Sequence, residues 1–199
     1  FRSVVAEITA VVEPRGAERP ERLAAREVRR YLYLRTGWLI PIVPGDGRAV
    51  SAKGAVVVGH KDRPEIRAVA GDNAELARAI TLLKPEQYLL KTLPLGDKKT
   101  LLIVGGDPVG TLYGAYRFAE HLGVRFYLHG DVVPDVKAVL AFPELDDRGE
   151  PLFKTRGIQP FHDFPEGPDW WSTDDYKAII AQLPKLRMNF IGLHTYPQG

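Results

Sequence analysis

Four glycines crowd one stretch of the chain: Gly105, Gly106, Gly110 and Gly114, within LLIVGGDPVGTLYGAYRFAEHLGVRFYL from Leu101 to Leu128. Glycines between a strand and a helix can cradle a nucleotide phosphate, because bare backbone N–H groups and a helix N-terminus both favour an anion. The spacing argues otherwise. A dinucleotide site needs G-x-G-x-x-G between a first strand and its helix, with an acid about 20 residues further on. Here the pattern is G-G-x-x-x-G-x-x-x-G, the strand falls late in its sheet, and Asp131 follows a strand rather than ending one. Gly110 and Gly114 are one helical turn apart and share a face, where they let a helix approach a sheet closely. A nucleotide-binding reading would rest on the glycines alone.

Two adjacent acidic pairs, Asp146–Asp147 and Asp174–Asp175, could in principle do acid–base work. Each has a plainer reading, the first in a polar connection and the second in a helix's first turn, where acids favour the dipole. The chain has five histidines but neither His-x-x-x-His nor a His-Glu pair, so no metal site is expected. No cofactor is expected either. The absence of cysteine excludes disulfides, thiolate metal sites and cysteine nucleophiles, and leaves the compartment open. Lys plus Arg is 27 and Asp plus Glu is 25, with no single-sign block, so neither a nucleic-acid stripe nor a membrane-surface helix is expected as a partner site. No apolar run approaches the roughly 18 residues of a membrane span. A start at Phe1 fits a removed leader, and with it a periplasmic or secreted location.

The elements that must position these groups follow from periodicity. Ser3 to Val12 reads as a strand, and Pro20 opens a helix that runs to Thr36 and stops at Gly37. Ala24, Val28, Tyr31 and Leu32 form its apolar stripe. Arg22, Arg26, Arg29 and Arg30 lie largely on the outer side, as a solvated face or a dock for an anionic partner. Leu39–Val43 and Ala55–Val58 are further strands, and 73–83 a further helix. Gln87–Leu93 and Thr100–Val104 form an antiparallel hairpin. With about five or six strands and two or three helices, residues 1–133 are expected to form an α/β sandwich with a mixed sheet. Residues 134–152, with Pro134, Pro143 and Pro151, read as an extended linker. Phe153–Gln159 is then a strand, Thr173 caps a helix with a buried stripe of Tyr176, Ile179, Ile180, Leu183 and Leu186, Pro184 kinks or ends it, and Asn189–Thr195 is a second strand. That is one parallel, right-handed βαβ unit. Two strands and one helix cannot cover each other, so a piece of something larger is expected.

Read together, VGTLYGAYRFAEHLGVRFYLHGDVVP and the segment from KTRGIQPFHDF to KLRMNFIGLHTY resemble consecutive parts of β-N-acetylhexosaminidases and α-glucuronidases. The first resembles the end of the accessory domain that precedes the barrel in these glycoside hydrolases, through Gly110, Tyr113, Gly114 and the Gly123–Phe126 turn. The helix ending in Thr36–Gly37 is similar to that domain's first helix. The second, through Arg156–Gly157 and Lys185–Asn189, resembles strand one, helix one and strand two of their (β/α)8 catalytic barrel, so residues 153–199 are expected to open such a barrel. The resemblance implies a carbohydrate substrate, exo action on hexosaminide or glucuronide-type sugars, and the remainder of the same barrel as a partner. It also implies catalytic carboxylates on later strands, so no catalytic residue is assigned here and the chain alone is expected to be inactive. A non-catalytic glycan- or protein-binding module is the alternative, which an unfinished barrel does not serve.

In a βα barrel, working residues lie at the C-terminal ends of strands and in the loops after them. If residues 153–199 open one, these are His162, Asp163 and the loop through Trp170 and Trp171, then His194 and Tyr196. Arg156, by resemblance, contacts sugar hydroxyls, or else forms a salt bridge inside the barrel. The flat rings of Trp170 and Trp171 suit the C–H faces of sugars, or plug a gap between barrel and accessory domain. His162, Asp163 and His194 orient a sugar or are exposed loop groups.

Overall fold

The computed structural model describes residues 7–46, 54–161 and 167–193. The chain falls into two compact units, a larger one of Phe1–Val124 with Val133–Glu150 and a smaller one of Arg125–Val132 with Pro151–Gly199. Among the described residues no helix is long and apolar enough to cross a membrane.

The larger unit is a mixed α/β sandwich. Its elements are β1 (Ala10–Glu13), α1 (Arg19–Thr36), β2 (Ile42–Pro44), β3 (Ala55–His60), α2 (Pro64–Ala70), α3 (Ala74–Thr81), β4 (Tyr88–Leu95), β5 (Lys98–Gly105), α4 (Pro108–His121) and β8 (Asp146–Gly149). The sheet order is β2-β1-β3-β5-β4-β8. β2, β1, β3 and β5 are parallel, and β4 runs antiparallel to both β5 and β8. The near-continuous apolar runs of β3 and β5 are what a strand covered on both faces requires. Val57, Leu102 and Val104 pack with Ile66 of α2 and with Leu76 and Ile80 of α3. The alternate residues face the other layer, where α1 packs on α4 and α4 lies on β4 and β5.

Local signals explain the helix ends. Glu18 caps α1 in a reciprocal box with Glu21, Pro20 lies in the first turn, and Gly37, at φ 81°, donates its N–H to Tyr33. The expected stripe of Ala24, Val28, Tyr31 and Leu32 is buried. Arg35 is buried as well. Its guanidinium donates to the carbonyls of Leu122 (2.7 Å), Pro134 (2.6 Å) and Val136 (2.7 Å), tying the end of α1 to the 134–138 strap.

The expected close packing of the glycines is met. A Cβ on Gly114 would lie 3.0 Å from Ile103 Cγ2, on Gly106 1.8 Å from the Lys84 carbonyl oxygen, and on Gly110 2.3 Å from that of Gln87. The N-terminus of α4 is already satisfied. Asp107 Oδ1 accepts from Gly110 N–H (2.7 Å) and from Glu86 N–H (2.9 Å), so the chain's own 84–87 turn covers the place a phosphate would take.

Two expectations need correction here, and one helix is new. Residues 146–149 are not an extended crossing but the edge strand β8, and its acidic composition hid it. The strand is held by its ladder to β4 and by ions: Asp146 to Lys91 (2.6 Å), and Asp147 to Arg117 (2.6 Å) and His121 (2.7 Å). α2 lacks the length for a visible period and was not anticipated. The strand expected after α4 does not join the main sheet. β6 (Arg125–Tyr127) pairs instead with β7 (Gly130–Val132) in a hairpin belonging to the smaller unit.

The smaller unit contains that hairpin, β9 (Gly157–Ile158), α5 (Thr173–Gln182) and β10 (Phe190–Ile191), with short 3₁₀ turns at Pro168–Trp170 and Pro184–Leu186. β9 and β10 are parallel, as expected, but among the described residues each is far shorter than the stretch expected to form it. Ser172, not Thr173, caps α5, accepting from Asp175 N–H while Asp175 bonds back to Ser172. The expected stripe is only partly buried. Leu183 is 5% exposed and Tyr176, Ile179 and Leu186 are half-buried, but Ile180 is 49% exposed and no residue of α5 itself is fully buried. Lys185 joins the hairpin to the turn after α5, donating to both Asp131 oxygens (2.8 and 2.9 Å) beneath the Phe126 ring.

Candidate functional site

His162, Asp163, His194 and Tyr196 lie outside the described residues. Arg156 lies immediately before β9, at the start of the strand. Its N–H takes Asn189 Oδ1 (3.0 Å), its Nε donates to the Arg187 carbonyl (2.7 Å), and its Nη1 donates to that of Phe153 (2.6 Å). Its own carbonyl accepts from Phe190 N–H (3.0 Å). These bonds clamp the entries of both short strands together, at the end opposite the loops that follow them.

Trp170 is 60% exposed in its 3₁₀ turn. Trp171 is half-buried, edge-on to Tyr176 with ring centroids 5.3 Å apart, and Tyr176 Oη donates to the Pro168 carbonyl (2.8 Å). Trp171 lines a groove of about 400 Å³ between α5 and the β6–β7 hairpin, together with His129, Asp175, Ile179 and Gln182. Neither Arg156 nor Trp170 lines it. Asp175, although exposed, is held below the usual carboxylate range by the Ser172 hydroxyl and N–H that donate to it. The groove therefore combines an aromatic wall with an acid, an amide and an imidazole. His129 was not anticipated as part of it, since only the hairpin brings residue 129 beside α5.

A second cluster, also unanticipated, occupies the carboxyl ends of β1 and β3 in the larger unit. Glu21 of α1 is completely buried. Its carboxylate accepts from the N–H of Glu18 (2.8 Å), the N–H of His60 (3.1 Å) and Arg63 Nε (3.0 Å), with His60 Nδ1 at 2.8 Å and Arg63 Nη2 on the other oxygen. Burial by itself would raise its pKa, but the Arg63 fork and the N–H donors override that and hold it at about 2. The ionised carboxylate only accepts, so His60 Nδ1 carries the proton. Glu18, Glu21 and His60 present ligand atoms within 4.8 Å of one another, the spacing of a cation site. The Arg63 guanidinium already supplies that positive charge. A metal ion would have to displace it, so the donor set does not fit one. In sequence the only trace of this cluster is the Glu18–Glu21 capping spacing, because His60 and Arg63 arrive from beyond two strands.

A family model described as the glycosyl hydrolase family 67 N-terminus matches residues 5–118, more than half of the chain. The chain belongs to that family. The match to this N-terminal family lies wholly inside the larger unit, and covers the β1–β5 sheet, both helical layers and the Glu21 cluster. A solved structure described as a novel family GH115 4-O-methyl-α-glucuronidase, with specificity for decorated arabinogalactans, shares the fold. Its TM-score is 0.65 at 20% identity, covering 94% of this chain and 25% of that one. The family 67 N-terminal chain thus spans about a quarter of that protein's length. No curated protein matches it.

Proposed function

We propose that the chain is the N-terminal part of a glucuronidase-type glycoside hydrolase. Residues 1–133 are its accessory α/β domain, 134–152 the connection that contributes β8 to the accessory sheet, and 153–199 the opening strand, helix and strand of the catalytic (β/α)8 barrel. The carboxylates that cleave the glycosidic bond lie on later barrel strands. The substrate is a carbohydrate whose terminal glucuronide is removed in an exo manner. The family match and the GH115 likeness favour this sugar over the hexosaminide that the sequence left equally open. The loop after β9, with His162, Asp163, Trp170 and Trp171, and the end of the second strand, with His194 and Tyr196, would contribute to the sugar-binding face. Arg156 would hold the two strands in register.

One observation carries this reading. β9 and β10 form a parallel pair, and parallel strands are found covered by helices on both faces. Among the described residues the pair has one helix, Phe190 and Leu193 remain 44% and 59% exposed, and Ile180 of α5 is 49% exposed. The further strands and helices of a barrel are what would close it.

The test compares this polypeptide with a version extended through the following residues of its parent, on glucuronic-acid-bearing xylo-oligosaccharides and aryl β-hexosaminides. The extended protein is expected to release glucuronic acid, and the 199-residue chain to release nothing. A native polypeptide of 22.2 kDa that is a well-folded monomer would overturn the proposal, as would hydrolysis by the short chain.

A further inference from the structure

The strands β1 and β3 are neighbours, and the chain leaves their carboxyl ends toward opposite layers. α1 follows β1 into the layer of α4, and α2 follows β3 into the layer that packs on Val57 and Leu102. In an open α/β sheet this is where ligands bind, in the crevice outside the strand ends where the connections diverge. In this chain Glu21 fills that place.

The groups around the Glu21 carboxylate are those that recognise a free one. Two main-chain N–H groups, of Glu18 and His60, point at it, and the Arg63 fork reaches both oxygens through Nε and Nη2. The His60 ring nitrogen completes the ring of donors at 2.8 Å. Charge-assisted bonds from a guanidinium fork are strong and geometrically selective for a planar carboxylate. His60 and Arg63 are themselves mostly buried, with side chains 15% and 17% exposed, so the donors are preorganised rather than waving in solvent.

We infer that this crevice is a carboxylate-binding site which the chain occupies with its own Glu21 side chain, and which takes a small free carboxylate when that side chain is removed. Beyond Cβ a glutamate consists of one methylene and a carboxylate, which are the heavy atoms of acetate. Glu21→Ala keeps Cβ, however, and a free methyl cannot sit at bonding distance from it, so formate, which brings the carboxylate alone, fits best, acetate must shift off the donors and propionate overfills the space. The surrounding acids set the charge. Glu18 lies 3.9 Å from Arg63, and Glu65 is buried with one oxygen on Arg15 N–H (3.1 Å) and the other without a hydrogen-bond partner among the described residues. With those two negative charges nearby, the site favours a monoanion over a dianion such as sulfate. The native accessory domain would then not use this crevice for sugar acids, because its own chain holds the place.

The experiment is urea unfolding of the full 199-residue Glu21→Ala chain in acetate, formate, propionate, chloride and sulfate at matched ionic strength. At formate concentrations ten times its dissociation constant, the folding equilibrium constant of Glu21→Ala should rise about 11-fold over chloride. Acetate and propionate should do progressively less, and the wild type should not respond. Glu21→Ala/Arg63→Met should lose the response. Equal stabilisation by chloride overturns the proposal, as does a formate response of the same size in Glu21→Gln, whose amide still fills the space. A Glu21→Ala chain that stays unfolded in saturating formate also overturns it, since a refilled site must restore the fold.

Discussion

Leu101, Leu102, Ile103 and Val104 of β5 are wholly buried between two helical layers, whereas in β10 of the smaller unit Phe190 is 44% exposed beside a half-buried Ile191. Both stretches are apolar and both pair in parallel. The difference lies in what surrounds them. The larger unit has helices on both faces of its sheet, with α1 and α4 on one and α2 and α3 on the other, while the described residues of the smaller supply α5 and a two-stranded hairpin. An apolar strand becomes core only when both layers exist, because its two rows of side chains point to opposite faces. The polar interior follows the same division. In the larger unit Glu21, His60 and Arg63 are locked into one buried cluster, and in the smaller the Asp131–Lys185 pair ties hairpin to helix turn.

The contrast can be pressed hardest at Glu21. Glu21→Gln leaves the mostly buried Arg63 with only the exposed Glu18, 3.9 Å away, as an ion-pair partner and should cost about 3 kcal/mol in urea unfolding of the larger unit. Its pH dependence has a definite sign. Glu21 ionises at about 2 when folded against 4.5 ordinarily, so its carboxylate contributes about 3 kcal/mol. That contribution is fully present above the unfolded value and disappears as pH falls from about 5 toward 2. The wild type should therefore lose more stability than Glu21→Gln over that range, and identical pH profiles would show that the cluster does not anchor this unit. Leu102→Ala comes next, at about 2–5 kcal/mol for a buried leucine flanked by two layers. Ile180→Ala should have the smallest effect, under about 0.5 kcal/mol in this chain, measured by the same unfolding. In a polypeptide extended through the barrel proposed above the same substitution should rise into the Leu102 range. If it is already costly in the short chain, α5 is covered there and the difference between the units disappears.

Much of the larger unit could be read from its residues. The α1 stripe, the β4–β5 hairpin and the shared helix face of Gly110 and Gly114 all depend on neighbours within a few residues or on a repeating period. β8 could not be read, because Asp146–Gly149 has no apolar row. It is a strand through its ladder and through Arg117, His121 and Lys91, which lie far away in sequence. Nor could the partner of β6, since whether a short strand joins a sheet or turns back into a hairpin depends on which edge is free. Of the expected sugar-facing residues, Arg156, Trp170 and Trp171 fall among the described ones, and only Trp171 lines the groove beside α5. The Glu21 cluster left no legible motif, as its donors come from α1, from the end of β3 and from the loop before α2.

By itself the amino-acid sequence determined where helices start and stop, which runs are apolar enough to be strands, and the likeness that led to a glycoside hydrolase N-terminus. Those properties arise from short-range backbone chemistry and from periodicity, which are written into neighbouring residues. Only the tertiary structure decided the order of the strands, the recruitment of β8, the exposure of α5 and the filling of the β1–β3 crevice by Glu21. Each of these depends on which distant groups come within hydrogen-bonding or packing distance, and that is a property of the folded chain.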